Sequence, residues 1–287
     1  MKIAWIMYQT AARRTGIAFG LICSLLVITA SAAWAADRDR IEAFLNVTGF
    51  DVALDSIALS AGSAPDMIGI DAKDFGSEWE RVSAEVFDTA TMRALALEIL
   101  EHTLSDELLG HAAAFYATDL GQRLVVAENA SHLIEDDTVK QDEGNRIIEK
   151  LEAESPDRLA LLRRMNTAID ASGTSVRALQ EIQMRFLLAA SAADVIELRM
   201  DADELRALMQ AQAPELRSLI EASALAGSAY TYRDFSDEDV TTYVTALEEQ
   251  EMQRVYELLN AVQYEVMANR FETLALRMSG LKPGQDI

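Results

Sequence analysis

Through most of the chain, apolar residues recur at steps of three and four, and hardly any stretch alternates apolar with polar. That spacing is what an α-helix imposes, since 3.6 residues per turn return i, i+3 and i+4 to one face, whereas a half-buried strand needs a period of two. The expected class is all-α, a multi-helix array of about ten helices. One stripe runs through Leu159, Leu162, Met165 and Ile169, opened by Ser155 as N-cap and Pro156 at the first helical position, and stopped by Gly173. The next takes Val176, Leu179, Ile182, Phe186, Leu187 and Ala190 behind Thr174 or Ser175. Leu205, Leu208 and Met209 read as a shorter helix, and Pro214 is expected to restart the chain ahead of Leu216, Leu219 and Ile220.

Two stretches lack the period. Residues 60–77, with Gly62, Pro65, Gly69 and Gly76, read as a loop, and Met67, Ile68 and Ile70 predict that it packs along the body of the protein. Residues 279–287, with Gly280, Pro283 and Gly284, read as a flexible tail. Within 236–278 the apolar face slips in phase, because Val240, Val244 and Leu247 are followed by Met252 at a step of five. A kink or short break is expected at 248–252.

The first 35 residues read as an address. Lys2, Arg13 and Arg14 precede an apolar run from Ile17 to Ile28, and Ala33, Trp34 and Ala35 fit the small-x-small rule for signal cleavage. The run is shorter than the ~20 residues of a spanning helix, so cleavage after Ala35 and a periplasmic location without a transmembrane anchor are expected. The single cysteine, Cys23, leaves with that segment, so neither a disulfide framework nor thiol chemistry is available afterwards. Loss of three basic residues takes the net charge from −22 to −25. Such an acid excess excludes a phosphate-backbone binder, which needs clustered Lys and Arg, so no nucleic-acid partner is expected.

A weak internal repeat divides the remainder. Leu104, Ser105, Asp106 and Glu107 recur 131 residues later as Phe235, Ser236, Asp237 and Glu238, and the same offset relates Gln122 and Arg123 to Gln253 and Arg254. In each copy the serine caps a helix, the acids sit in its first turn, and the preceding apolar residue can staple to position N4. Two tandem related helical units are expected, over residues 36–154 and 155–278.

The segment from Leu104 to Arg123 resembles the signature of the bacterial domain-of-unknown-function family 2059. Ser105, Glu107, Leu109, Phe115, Tyr116, Gly121 and Gln122 carry the likeness, and Phe44 to Phe50 is similar to the family's usual opening. Thr118 and Asp119 stand where the family often has Ser-Pro, and Leu108 where it often has a second acid. The resemblance implies an exported helical protein of the bacterial envelope and supplies no chemistry.

Signals for chemistry are sparse. His102, His111 and His132 are spaced by nine and 21 residues, which sets no ligand pair on adjacent turns, so no metal site is expected from them. The acidic groups Glu135 to Asp137, Asp201 to Glu204 and Asp234 to Asp239 each stand where a helix should start, and capping accounts for them. No glycine-rich phosphate cradle or nucleophile elbow occurs, and no cofactor is implied. The expected function is a non-catalytic envelope protein that binds a protein partner or itself. The alternative is a helical cell-wall hydrolase using acidic residues, which a deep cleft holding a desolvated carboxylate would favour. Phe115, Tyr116, Gly121 and Gln122 form the candidate binding site, weighed against a corner motif that fixes the angle between two helices. In either case Phe115 is expected in the core and Tyr116 at the helix edge.

Overall fold

A computed structural model describes residues 38–68 and 77–281, and the expected signal segment, its cleavage point and Cys23 lie outside the described residues. Helix α1 (Arg38–Thr48) turns by 79° into the next helical stretch, α2 (Phe50–Ser56). The turn is made by Gly49 at φ +72°, a left-handed conformation costly to any residue with a Cβ. Then follow α3 (Ser77–Val86), α4 (Thr89–Thr103), α5 (Asp106–Tyr116), α6 (Asp119–His132) and α7 (Asp137–Glu154). The chain continues through α8 (Pro156–Ile169), α9 (Ser175–Ala192), α10 (Ala202–Thr231), α11 (Asp237–Leu247) and α12 (Gln250–Met278). The described residues contain no strand.

Helix α12 is the mast of the fold. It buries Met252, Val255, Leu259, Val262, Val266, Phe271 and Leu274, and α3, α4, α5, α8 and α9 all pack on it. Burial on several sides suits a helix with no single polar face. Phe271 takes Phe87 and Phe186 edge to face at 5.4 and 6.0 Å, which joins the α3–α4 turn and α9 through α12. The main hydrophobic cluster runs from Ile41 to Leu281 and takes in residues on both sides of the boundary at 154/155.

The acidic helix starts act as caps. Asp136 accepts from Thr138 N, Asp201 forms a capping box with Glu204, and Ser236 accepts from Asp239 N. The break expected at 248–252 falls between α11 and α12, at Glu248 and Glu249.

Other expectations need correction. Pro214 starts no new helix, because α10 runs unbroken for 30 residues with Pro214 inside it. This part of α10 faces solvent, so the carbonyl that loses its N–H partner one turn earlier is not buried away from water and the helix can continue through the proline. Leu208 and Leu219, positions of the two expected apolar stripes, are 46% and 62% exposed. Residues 60–77 are not plain loop: Ile57–Ser63 and Asp66–Ile68 are 3-10 turns, and Met67 and Ile68 pack on the core as expected. Ile70 lies outside the described residues. The expected tail does not fray at its start, since Leu281 is buried in the main cluster.

The repeat holds for outline and fails for packing. Helices α5 and α11 each have 11 residues, and both their boundaries and the start of the following helix recur at an offset of 131. Their neighbours differ: α5 packs on α12, whereas α11 packs chiefly on α8. What repeats is a helix start and a corner.

Candidate functional site

The first corner is built locally. Ser105 Oγ caps α5 by accepting from Leu108 N at 3.3 Å. Thr118 Oγ1 donates back to Phe115 O at 2.7 Å and accepts from Gly121 N at 3.1 Å, so one side chain closes α5 and opens α6. Gln122 Nε2 then donates to Tyr116 O at 2.6 Å. Gly121 is required by space, because a Cβ there would lie 2.5 Å from Phe115 O and 2.6 Å from Tyr116 Cα. Gly121 and Gln122 thus serve the corner.

Phe115 and Tyr116 exchange the expected roles. Tyr116 is 3% exposed, while Phe115 is half-buried and stacks on Tyr243 with ring centroids 5.8 Å apart and planes at 8°. The inversion follows from the helix period: Tyr116 continues the buried stripe of Leu109 and Ala112 at steps of three and four, and Phe115 stands off it.

Inside, the Tyr116 hydroxyl meets those of Tyr243, at 3.0 Å, and of Tyr256. Tyr243 and Tyr256 are themselves 2.9 Å apart. The cluster closes on Glu128 of α6, whose Oε1 accepts from Tyr232 at 2.6 Å and from Tyr243 at 2.9 Å. Tyr232, the C-cap of α10, is fixed from below. Arg158 of α8 donates to the carbonyls of Tyr232 and Phe235, both at 2.8 Å, and reaches Asp237. Arg123 pairs with Asp239 at 2.8 Å and lies over the Phe235 ring, which draws α6 to the same corner.

Glu128 and the four tyrosines line a cavity of about 340 Å³. Its wall adds Asn129, Ser131 and His132 from α6, Lys140 from α7, and Asn260 and Gln263 from α12. Glu128 is the one carboxylate among the lining residues. Desolvation raises its pKa above the ordinary glutamate value, and the two tyrosine donors, which favour the charged form, pull against it without prevailing. The hydroxyls of Tyr116, Tyr232 and Tyr243 are held well above the usual tyrosine value, first by desolvation and then by neighbours that include Glu128. His132 is held below its usual value by desolvation and by the charge of Lys140. The ammonium of Lys140 is 2.6 Å from Asp137.

Of the four residues singled out in sequence, only Tyr116 reaches this cavity. Of the histidines, only His132 does so. His111 lies 3.0 Å from Glu249 across the second corner, and His102 Nδ1 lies 2.7 Å from its own helix's Glu98 O. Sequence reasoning missed Glu128, Tyr232, Tyr243 and Tyr256. One signal was there to be read: Glu128 follows Leu124 and Val125 at steps of four and three, so a carboxylate occupies a position of the buried stripe of α6.

Residues 90–149 match the family model described as an uncharacterized protein conserved in bacteria (DUF2059), the family that the Leu104 to Arg123 segment resembles. The matched segment contains Tyr116, Glu128, Asn129, His132 and Lys140, whereas the other three tyrosines lie beyond it. No curated protein and no solved structure matches the chain.

Proposed function

We propose that this chain is an exported, non-catalytic binding protein of the bacterial envelope and that it takes its ligand in the cavity beside Glu128. The observation that carries this reading is a carboxylate set among four tyrosine hydroxyls in the wall of a 340 Å³ space. That volume lies at the lower end of small-molecule sites, and apolar walls with a few convergent polar groups are their usual make-up. The same space accepts a side chain presented by a protein partner.

The desolvated state of Glu128 also favours the second reading, a cell-wall hydrolase, since a raised carboxyl is what a general acid needs. Glycoside cleavage takes two carboxyl groups flanking the scissile bond. The lining offers Glu128 alone, and binding is therefore the reading supported best.

Two experiments test it. The full chain expressed in bacteria should appear in the periplasmic fraction with Ala36 at its N-terminus. Material that keeps Met1 in the cytoplasm overturns the export reading. For the cavity, the melting temperature is measured with a panel of amines, sugars, amino acids and short peptides, for wild type and Gly227→Leu. Gly227 lines the cavity and a Cβ there meets nothing within 4 Å, so the leucine fills the space. A true ligand at about 100 times its Kd adds roughly 2.7 kcal/mol, a rise of at least roughly 5 °C, in wild type only. The binding reading falls if no compound distinguishes the two proteins.

A further inference from the structure

Building on the binding reading above, we infer that the Glu128 cavity receives a primary ammonium group and admits it in exchange for a proton carried by Glu128.

The first ground is a proton inventory. The cluster contains five oxygen–oxygen contacts: Tyr232 with Glu128, Tyr243 with Glu128, and the triangle of Tyr116, Tyr243 and Tyr256. Each contact needs one proton to be a hydrogen bond, and the four hydroxyls bring four. With Glu128 ionised, Tyr232 and Tyr243 both donate to Oε1, and the triangle's three contacts share two protons. A proton on Oε1, shared with Tyr243, gives every contact one. A proton on Glu128 therefore completes the hydrogen bonding of the cluster, in the same direction as its desolvation.

The second ground is what the cavity leaves unused. Oε2 of Glu128 takes no hydrogen bond among the described residues, and it is not sealed away, since Ser83 Oγ is the fully buried side-chain oxygen left without a partner there. Oε2 is thus open to solvent, and Glu128 is a residue of the cavity wall. Asn260 spends its Nδ2 on Ile169 O at 2.9 Å and keeps Oδ1 as an acceptor. Glu128 Oε2 and Asn260 Oδ1 can accept from a ligand that brings N–H donors. Facing Glu128 are Tyr116 from α5, Tyr232 from the end of α10, Tyr243 from α11 and Tyr256 from α12. His132 and Lys140 are the other titratable groups of the lining. His132 is held toward its neutral form, and Asp137 offsets Lys140, so neither bars a cation.

The exchange balances without a covalent step. A protonated amine arrives from solution, the O–H of Glu128 breaks, its proton leaves to water, and the carboxylate pairs with the ammonium.

The test uses the purified chain with n-butylamine and its neutral counterpart butan-1-ol. Affinity is measured by calorimetry between pH 5 and 8, and proton release by pH-stat in unbuffered saline. The amine should bind at least tenfold more tightly than the alcohol. Its affinity should rise with pH by up to tenfold per unit while Glu128 holds its proton, with close to one proton released per amine bound at the acid end. Glu128→Gln keeps the shape of the side chain and should abolish both the preference and the release, and Gly227→Leu should block the amine altogether. Equal binding of amine and alcohol, no amine binding, or binding without proton release at every pH overturns the inference. If another compound from the panel stabilises wild type and not Gly227→Leu while butylamine fails, only the ligand class is wrong. If nothing does, the binding reading fails with it.

Discussion

The hydroxyl of Tyr243 stands 2.9 Å from Glu128 Oε1 and joins α11 to α6 across 115 residues of sequence. Folding thereby takes a glutamate out of water and seats it among phenols. The folded chain holds the Glu128 proton more tightly than the unfolded chain does. Stability from this preference is complete below the ordinary glutamate value of 4.5 and is lost as pH rises through the raised folded value. Urea melts from pH 4 to 8 should show wild type losing stability with rising pH more steeply than Glu128→Gln. Parallel curves for the two proteins would mean that Glu128 titrates as it does in water.

Tyr116 should behave as core. Tyr116→Ala removes a ring that is 3% exposed, and large-to-small truncation of a buried aromatic costs about 3 kcal/mol. Tyr116→Phe keeps the ring and deletes one hydroxyl of the cluster, at a cost of about 1 kcal/mol. A loss under about 0.5 kcal/mol for the alanine variant would place the side chain at the surface instead.

Two glycines of the family-like segment should respond in opposite directions. Gly121→Ala drives a methyl into the backbone of Phe115 and Tyr116, at 2.5 and 2.6 Å, and should cost roughly 1–3 kcal/mol. Gly110→Ala, in α5 with nothing within 4 Å of the new Cβ, should stabilise by about 0.5–1 kcal/mol through helix propensity alone. Thermal melts of both variants read the difference in sign, and a Gly121→Ala protein as stable as wild type would remove the corner's steric rationale.

Arg158 should matter beyond its charge. Its side chain, 12% exposed, donates to two backbone carbonyls that shape the turn after α10. Arg158→Ala leaves both without that donor and should cost roughly 1–3 kcal/mol. The deficit of Arg158→Ala relative to wild type should change little between low salt and 1 M, because the fork to the carbonyls is not screened as a surface ion pair is. A deficit that disappears at high salt would reduce the residue to its pairing with Asp237.

What the sequence made legible is what short range determines. Ser236, Asp136 and Asp201 cap helices because a helix start needs acceptors within three residues, and the slip from Leu247 to Met252 marked the break for the same local reason. Pro214 misled because a proline's effect depends on whether water reaches the carbonyl it orphans, and that is decided by packing elsewhere. The cavity was beyond local reasoning altogether. Tyr243 reads as one more apolar position beside Val240 and Val244 until α11 is laid against α6, and only then does its hydroxyl find Glu128. Tyr116 was singled out through the resemblance, and its direction was misjudged although the period was there to read, since Leu109, Ala112 and Tyr116 share one face of α5.

The division of the cavity between residues 90–149 and the later tyrosines has a consequence for synthesis. A ribosome delivers Glu128 more than a hundred residues before Tyr232, Tyr243 and Tyr256. Until those arrive, the two hydroxyls that donate to Glu128, those of Tyr232 and Tyr243, are missing. The chain cannot acquire its pocket piecemeal: the pocket comes into being with the closing of the C-terminal helices, so a molecule able to hold a guest is one that has finished folding.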